Sequence, residues 1–260
     1  MNNELKLSVS KVKTFLSCKK KYKYTYIDKL PQKEFDFYIL GKFCHKVLED
    51  FHITYINGST ELFNSVMSKV FKQASREFVM SKEMKKECWD IIDKYLRLII
   101  KNKIDNIYPN IIACEKNFNF IVDKNISLNG MIDRIQIDND GVLHVGDYKT
   151  TKNKKYLQND KFQLLTYAYY LVTQDNLDLD KIRASYILLR HNFEHITFDF
   201  KIDEILKIKD MYIEYANAIL SETEFNPTVS KLCEYCGFCN ICPDAQKYAN
   251  VFNGEVSWID

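Results

Sequence analysis

GMIDRIQIDNDGVLHVGDYKT, residues 130–150, decides how this chain is read. Two apolar-rich runs, SLNGMIDRIQID and VLHVGDYKT, flank the turn signal Asp138-Asn139-Asp140-Gly141, which predicts an antiparallel hairpin. Asp133 falls on the first strand and Asp147 and Lys149 on the second. Asp147 and Lys149 are two apart, so a strand projects both from one face. Two carboxylates suit Mg²⁺ or Mn²⁺, which prefer hard oxygen ligands. A lysine beside such an ion can orient a water and offset phosphate charge. From these three residues alone, a metal site and the wet face of an ordinary hairpin stay equally open.

Upstream, IIACEKNFNFIV is strand-like and carries Glu115, either a further carboxylate or the outer face of an edge strand. Downstream, FQLLTYAYYLVTQ has a helical pattern that puts Gln163 and Tyr167 on one face, and RASYILLR and HITFDF follow as strands. A helix is predicted from about Asp203 to Leu220. The first hundred residues read as helical: one helix capped by Ser8 or Ser10, then FYILGKFCHKVLEDFHITYI with His45 four residues after Gly41, then ELFNSVMSKVFKQASREFV, then about Lys82 to Lys103. No repeat, low-complexity tract or linker interrupts the 260 residues, which read as a single α/β domain: a mainly helical part over 1–108, an α/β core over 109–222 and a cysteine-bearing segment over 223–245.

Net charge is only +2, from 37 Lys and Arg against 35 Asp and Glu, so a nucleic-acid surface has to be a local patch. Lys19, Lys20 and Lys21 in CKKKYKYTY alternate onward with Tyr22, Tyr24 and Tyr26, and Lys152 follows the second hairpin strand. Lysines neutralise phosphates and tyrosines stack on unpaired bases, although a solvated lysine face explains such a run taken alone. No apolar stretch is long enough to span a bilayer and no signal peptide is evident, which predicts a soluble, cytoplasmic protein.

KLCEYCGFCNICP, residues 231–243, places Cys233, Cys236, Cys239 and Cys242 at intervals of three. Clustered cysteines in such a chain read as a metal site, and spacing leaves a four-cysteine zinc site and an iron–sulfur cluster both open. The run differs from a bacterial ferredoxin run by one residue before its last cysteine, and it has no second copy. Cys44, Cys88 and Cys114 are isolated and read as small buried hydrophobes.

Taken together and in order, Gly41/His45, Gly130/Asp133/Arg134, Asp147/Tyr148/Lys149/Thr150 and Gln163/Tyr167 resemble the RecB-like branch of the PD-(D/E)xK nuclease superfamily. That branch carries a G-x-x-x-H helix, a G-x-x-D-R strand, a D-Y-K-T strand and a Q-x-x-x-Y helix. The resemblance spans roughly residues 8 to 245 and implies a restriction-endonuclease-like core, a mixed central sheet flanked by helices. It implies His45, Asp133, Asp147 and the Tyr148 carbonyl as ligands of Mg²⁺ or Mn²⁺, with Lys149, Gln163 and Tyr167 completing the catalytic set. Some members, among them CRISPR-adaptation exonucleases and the AddB nuclease domain, hold a 4Fe–4S cluster on one N-terminal cysteine and a C-terminal C-x2-C-x5-C. In this chain those positions are Cys18, Cys233, Cys236 and Cys242, with Cys239 left over. The expected function is a metal-dependent DNA exonuclease acting on single strands or ends. The alternative is a catalytically idle nuclease-fold subunit that binds DNA. Protein partners would belong to repair, CRISPR adaptation or viral DNA processing, the last placing the protein in a host cytoplasm.

Overall fold

A computed structural model describes residues 4–33, 35–174 and 181–249. Six strands form one mixed sheet in the order β1-β3-β4-β5-β6, with β2 pairing β3. The strands are β1 (Leu5–Leu7), β2 (Asn110–Asp123), β3 (Ile126–Ile137), β4 (Leu143–Lys149), β5 (Lys181–Leu188) and β6 (Glu194–Lys201). The 138–141 turn closes the β3/β4 hairpin, and its Gly141 takes φ +79°, a left-handed value natural to glycine. β4 and β5 are parallel because α6 (Phe162–Gln174) lies between them in sequence.

Helices cover both faces of this sheet. On one side α3 (Asp36–Ile56), α4 (Phe63–Glu77) and α5 (Lys82–Ile104) pack through Phe43, Val47, Phe51, Met67, Ile92 and Tyr95 onto Tyr148 and Ile187. Their apolar residues recur three and four apart, so each presents one stripe to the sheet. Cys44 and Cys88 are fully buried in this layer, and Cys114 is half-buried. On the other side α1 (Val9–Ser17), α6 and α8 (Ile208–Ser221) pack through Val12, Phe15, Leu164, Tyr167 and Tyr212 onto Ile135, Val145 and Tyr186. Among the described residues no helix is long and apolar enough to cross a membrane.

Local detail departs from the sequence reading at a few points. Ser8, not Ser10, caps α1, accepting from the Lys11 N–H at 3.2 Å. Leu5–Leu7, unassigned from sequence, adds a short strand parallel to β3. The predicted 203–220 helix is two helices, α7 (Ile202–Leu206) and α8, broken at Lys207. The lysine- and tyrosine-rich stretch is a short α2 (Lys19–Tyr22) running into a π-turn over Lys23–Ile27.

Candidate active site

The site begins where two strands part. β3 and β4 stay paired from Ile137↔Leu143 to Arg134↔Gly146. Beyond Gly146, β4 remains with β5, Asp147 opposite Tyr186 and Lys149 opposite Leu188, but it leaves β3. The Tyr148 N–H then finds no backbone acceptor on β3 and donates to Asp133 Oδ2 at 2.7 Å. His45 fills the opening from α3. With its proton on Nε2, its ring donates to the Tyr148 carbonyl at 3.1 Å, leaving Nδ1 3.5 Å from Asp133 Oδ2 and 3.9 Å from Glu115 Oε1. Gly41 lies one turn earlier on the same helix face. A Cβ there would stand 3.3 Å from Thr150 Oγ1, a close contact that the threonine side chain would have to relieve by a few tenths of an ångström.

Asp147 is buried and held from several directions. Lys149 Nζ pairs with its Oδ2 at 2.5 Å, Gln163 Nε2 donates to Oδ1 at 2.7 Å, and the Tyr167 hydroxyl donates to Oδ1 at 3.1 Å. Gln163 also accepts from Lys149 Nζ at 3.1 Å, so one amide fixes acid and lysine together. The four-residue helical spacing that aligned Gln163 and Tyr167 in the sequence thus aims both at one carboxylate.

Glu115 was ambiguous in the sequence and the structure places it in the site. β2 is the outer neighbour of β3, yet Glu115 falls opposite Asp133 between the pairs Cys114↔Arg134 and Lys116↔Ile132. Its φ of 47° is left-handed, an uncommon conformation for a glutamate in a strand. His45, Glu115 and Asp133 bring one ligand atom each within 4.8 Å of one another. The sequence offers Glu115 as a carboxylate or as an outer-face residue without deciding between them, because its position depends on cross-strand register and on that backbone kink.

Crowding shifts these groups. Burial, and then Asp133 beside it, raises the Glu115 carboxyl to about 7. Burial and then Asp147 push Asp133 well above the carboxylate range. Burial lowers His45, which keeps the imidazole neutral and able to ligate. Burial also acts to lower Lys149, but Asp147 outweighs it and leaves the lysine raised and protonated. Hard oxygens and a neutral imidazole crowded together, with Lys149 held against Asp147, make a donor set that fits a small divalent ion.

The cysteines meet at a second locus. Cys18, Cys233, Cys236 and Cys242 line one small cavity with Tyr24 and Phe238. Cys18 Sγ accepts from the Lys21 N–H at 3.4 Å and Cys233 Sγ from the Ser230 N–H at 3.5 Å. Cys239 is buried with its thiol turned to the Ala245 carbonyl at 3.4 Å and does not line that cavity. The N- and C-terminal segments are clasped around this locus. The Lys33 N–H donates to the Gly237 carbonyl at 3.3 Å, and Tyr24 packs edge-on against Phe238 at 5.5 Å.

The basic residues are less uniform than the sequence suggests. Lys19 is exposed but ion-paired with Glu222, which this lysine and backbone N–H groups hold down to about 2. Lys20 and Lys21 are half-buried, Lys21 at the rim of the cysteine cavity, and Lys152 is exposed. Tyr22 is not available to stack on a base: it is buried against Phe225, ring centroids 6.4 Å apart and nearly parallel.

Comparison with known proteins bears on the family and the fold. The chain is 25% identical over 256 residues to a subunit of the ATP-dependent helicase/deoxyribonuclease from Streptococcus agalactiae serotype Ia, covering 86% of this chain and 24% of that protein. The serotype III counterpart is 25% identical over 228 residues, covering 76% and 21%. The chain therefore spans about a quarter of the length of the curated relatives it matches. A crystal structure of a protein described as an exonuclease, from Eubacterium rectale, superposes with a TM-score of 0.52 at 12% identity, covering 97% of this chain and 90% of that one, a likeness of fold. The profile of the PD-(D/E)XK nuclease superfamily matches residues 6–243, which contain both strands of the hairpin, His45 and the whole cysteine run, and the chain belongs to that superfamily.

Proposed function

We propose that the protein is a divalent-metal-dependent DNA exonuclease acting on single strands or DNA ends. The observation that carries this reading is the meeting of His45, Asp133 and the Tyr148 carbonyl beside the Asp147–Lys149–Gln163–Tyr167 network. His45, Asp133, Asp147 and the Tyr148 carbonyl would hold Mg²⁺ or Mn²⁺, with Glu115 as a further carboxylate. Such an ion, when bound, supplies Lewis-acid polarisation of a phosphate oxygen and a more acidic water. Lys149 keeps its proton and places positive charge where a phosphodiester gains negative charge on attack. Gln163 and Tyr167 fix the Asp147 carboxylate through its Oδ1. Single strands and duplexes labelled at either end, incubated with Mg²⁺, Mn²⁺ or EDTA, test the reading. Ladders growing from one end only with Mg²⁺ or Mn²⁺ are expected, and no cleavage with either ion would sink it.

We infer further that Cys18, Cys233, Cys236 and Cys242 hold a 4Fe–4S cluster. Their shared cavity and the N–H groups on two of the sulfurs support this. Among the described residues, no three cysteine sulfurs lie within 4.8 Å of one another. A zinc tetrahedron of four thiolates needs sulfurs about 3.8 Å apart, as Zn–S bonds of about 2.3 Å dictate, whereas a larger cluster tolerates the wider spread.

DNA is expected to follow a track past Lys20, Lys21 and Lys152. Changing these three to alanine should flatten the plot of log K against log salt for a single strand by about 2, at about 0.7 per lost phosphate contact. An unchanged slope would make them a solvated face. Lys19→Ala, by contrast, should chiefly lower stability, because its partner is Glu222.

Glu115 predicts a pH effect on the metal-free protein. Its folded pKa of about 7 exceeds the unfolded carboxyl value, so the folded form binds the proton more tightly. The stabilisation is full below about pH 4.3, the unfolded pKa, and is lost as pH rises through about 7, at most about 4 kcal/mol. Melts in EDTA should show stability falling between pH 5 and 8, less steeply for Glu115→Gln, with Mg²⁺ restoring the wild type at the alkaline end. Parallel wild-type and variant curves would remove Glu115 from the site.

A further inference from the structure

Behind β3, on the face covered by α5, lies a cavity of about 440 Å³. Its wall includes Arg134, which directly follows Asp133 in the chain yet faces the α5 layer. Arg134 is 4% exposed, and among the described residues no carboxylate pairs with it. Its guanidinium lies over the Tyr148 ring, 5.8 Å from the centroid, and its Nε has no hydrogen-bond partner. Gly146 sits directly across the ladder, where a Cβ would stand 2.7 Å from Ile187 Cδ1, so the absent side chain leaves room for that isoleucine on the cavity wall. Gln136, buried on the same wall, leaves Oε1 without a partner.

A buried cation without a counter-ion is costly, and its neighbours supply no negative charge. Burial raises Tyr95 and Tyr148, and raises Tyr108 and Cys114 to about 12. Burial lowers His52 and His144, and lowers His195 to about 3, with Arg134 adding to each shift. All are neutral at pH 7. Of the acids on the cavity wall, Asp138 already accepts from His144 at 2.9 Å, from Gln136, and from Arg183 at 2.8 Å, and Asp140 pairs with Arg183 at 3.1 Å.

Tyr95, Ile99, Ile187 and Phe193 form an apolar part of the wall, with Ile107 half exposed beside it, while Asn102, Asn139 and His195 add polar groups elsewhere. Phe193 takes φ 60° beside Asn192 at 53°, in the tight turn that joins β5 to β6, and its ring packs 4.7 Å from that of Tyr95. The two acids on the wall, Asp138 and Asp140, both pair with Arg183, which also pairs with Asp199 outside the cavity. The charge left on the wall is that of the Arg134 guanidinium, which suits a singly charged anion.

We propose that this cavity is a binding site for a small monocarboxylate with an apolar body, its carboxylate on Arg134 and its body between Tyr95, Ile187 and Phe193. The site is separate from the proposed nuclease centre and its existence does not depend on that reading. Benzoate, acetate and inorganic phosphate are the probes, titrated into the full chain by calorimetry and thermal melting in magnesium-free buffer, with NaCl at matched ionic strength. Benzoate should bind saturably and raise the melting temperature, while acetate and phosphate bind more weakly. Arg134→Met should weaken benzoate on the order of tenfold to a hundredfold, the range of a charged hydrogen bond. Ile107→Trp, which crowds the mouth but leaves the guanidinium in place, should weaken it as well without lowering the ligand-free melting temperature. If Arg134→Met does not fold, Ile107→Trp carries the test. Benzoate heats no larger than those of NaCl, phosphate binding as tight as benzoate, or benzoate binding unchanged in Ile107→Trp would each overturn the assignment.

Discussion

Asp147→Ala and Lys149→Ala will each lower DNA cleavage by at least on the order of 10²–10³, with the fold and DNA affinity largely kept. The two side chains form one unit, joined directly at 2.5 Å and again through Gln163. Asp147→Ala removes a proposed ligand and frees Lys149, Gln163 and Tyr167 from their common acceptor. Lys149→Ala leaves Asp147 with Gln163 and Tyr167 but no neighbouring cation. The double variant should therefore be hardly slower than either single one, the non-additivity of groups acting together. Cleavage rates on end-labelled single strands, with circular dichroism to verify the fold, decide the matter. Near-normal turnover in either variant would place the chemistry elsewhere.

The second large effect joins distant parts of the chain. Anaerobically purified protein should be brown, with broad visible absorbance and acid-labile sulfide. Cys18→Ser should lose that colour as fully as Cys233→Ser, Cys236→Ser or Cys242→Ser, because all four line the same cavity. Cys239→Ser should keep it, since that thiol is turned to the Ala245 carbonyl. Losing the cluster should also loosen the clasp made by Lys33 with Gly237 and Tyr24 with Phe238, and protease should then cut near residues 18–33 or 225–245. A colourless protein holding zinc, with Cys18→Ser unaffected and Cys239→Ser depleted, would overturn the iron–sulfur reading and leave the nuclease reading standing.

Much of the site was legible in sequence because it is built from short-range spacings. His45 four residues from Gly41, Asp147 two from Lys149 and Gln163 four from Tyr167 each fix a shared face before any tertiary contact is known. The long helices α3, α4 and α5 were legible for the same reason. What escaped depends on distant partners. Leu5–Leu7 is too short to carry a pattern and becomes a strand only beside Ile126–Leu128. Glu115 enters the site through register against β3 and a left-handed backbone. Tyr22, set among lysines, reads as a surface aromatic until Phe225 covers it. Arg134 sits on an ordinary strand in sequence, and nothing local reveals that its charge is buried without a carboxylate.

The clasp between the N- and C-terminal segments sets an order on biosynthesis. Cys18 and its lysine-rich helix leave the ribosome before β2 to β6, whereas Cys233 to Cys242 follow them. At about 5–20 residues per second the first thiol waits roughly 10–40 s for its partners. Through that interval the hairpin and the helices on both its faces can assemble, but Tyr22 lacks Phe225 and Tyr24 lacks Phe238. The segment around Cys18 is thus made ahead of the nuclease core and finished after it, and until Phe225 and Phe238 arrive it presents an open thiol and two uncovered aromatic rings to chaperones, oxidants and metal donors.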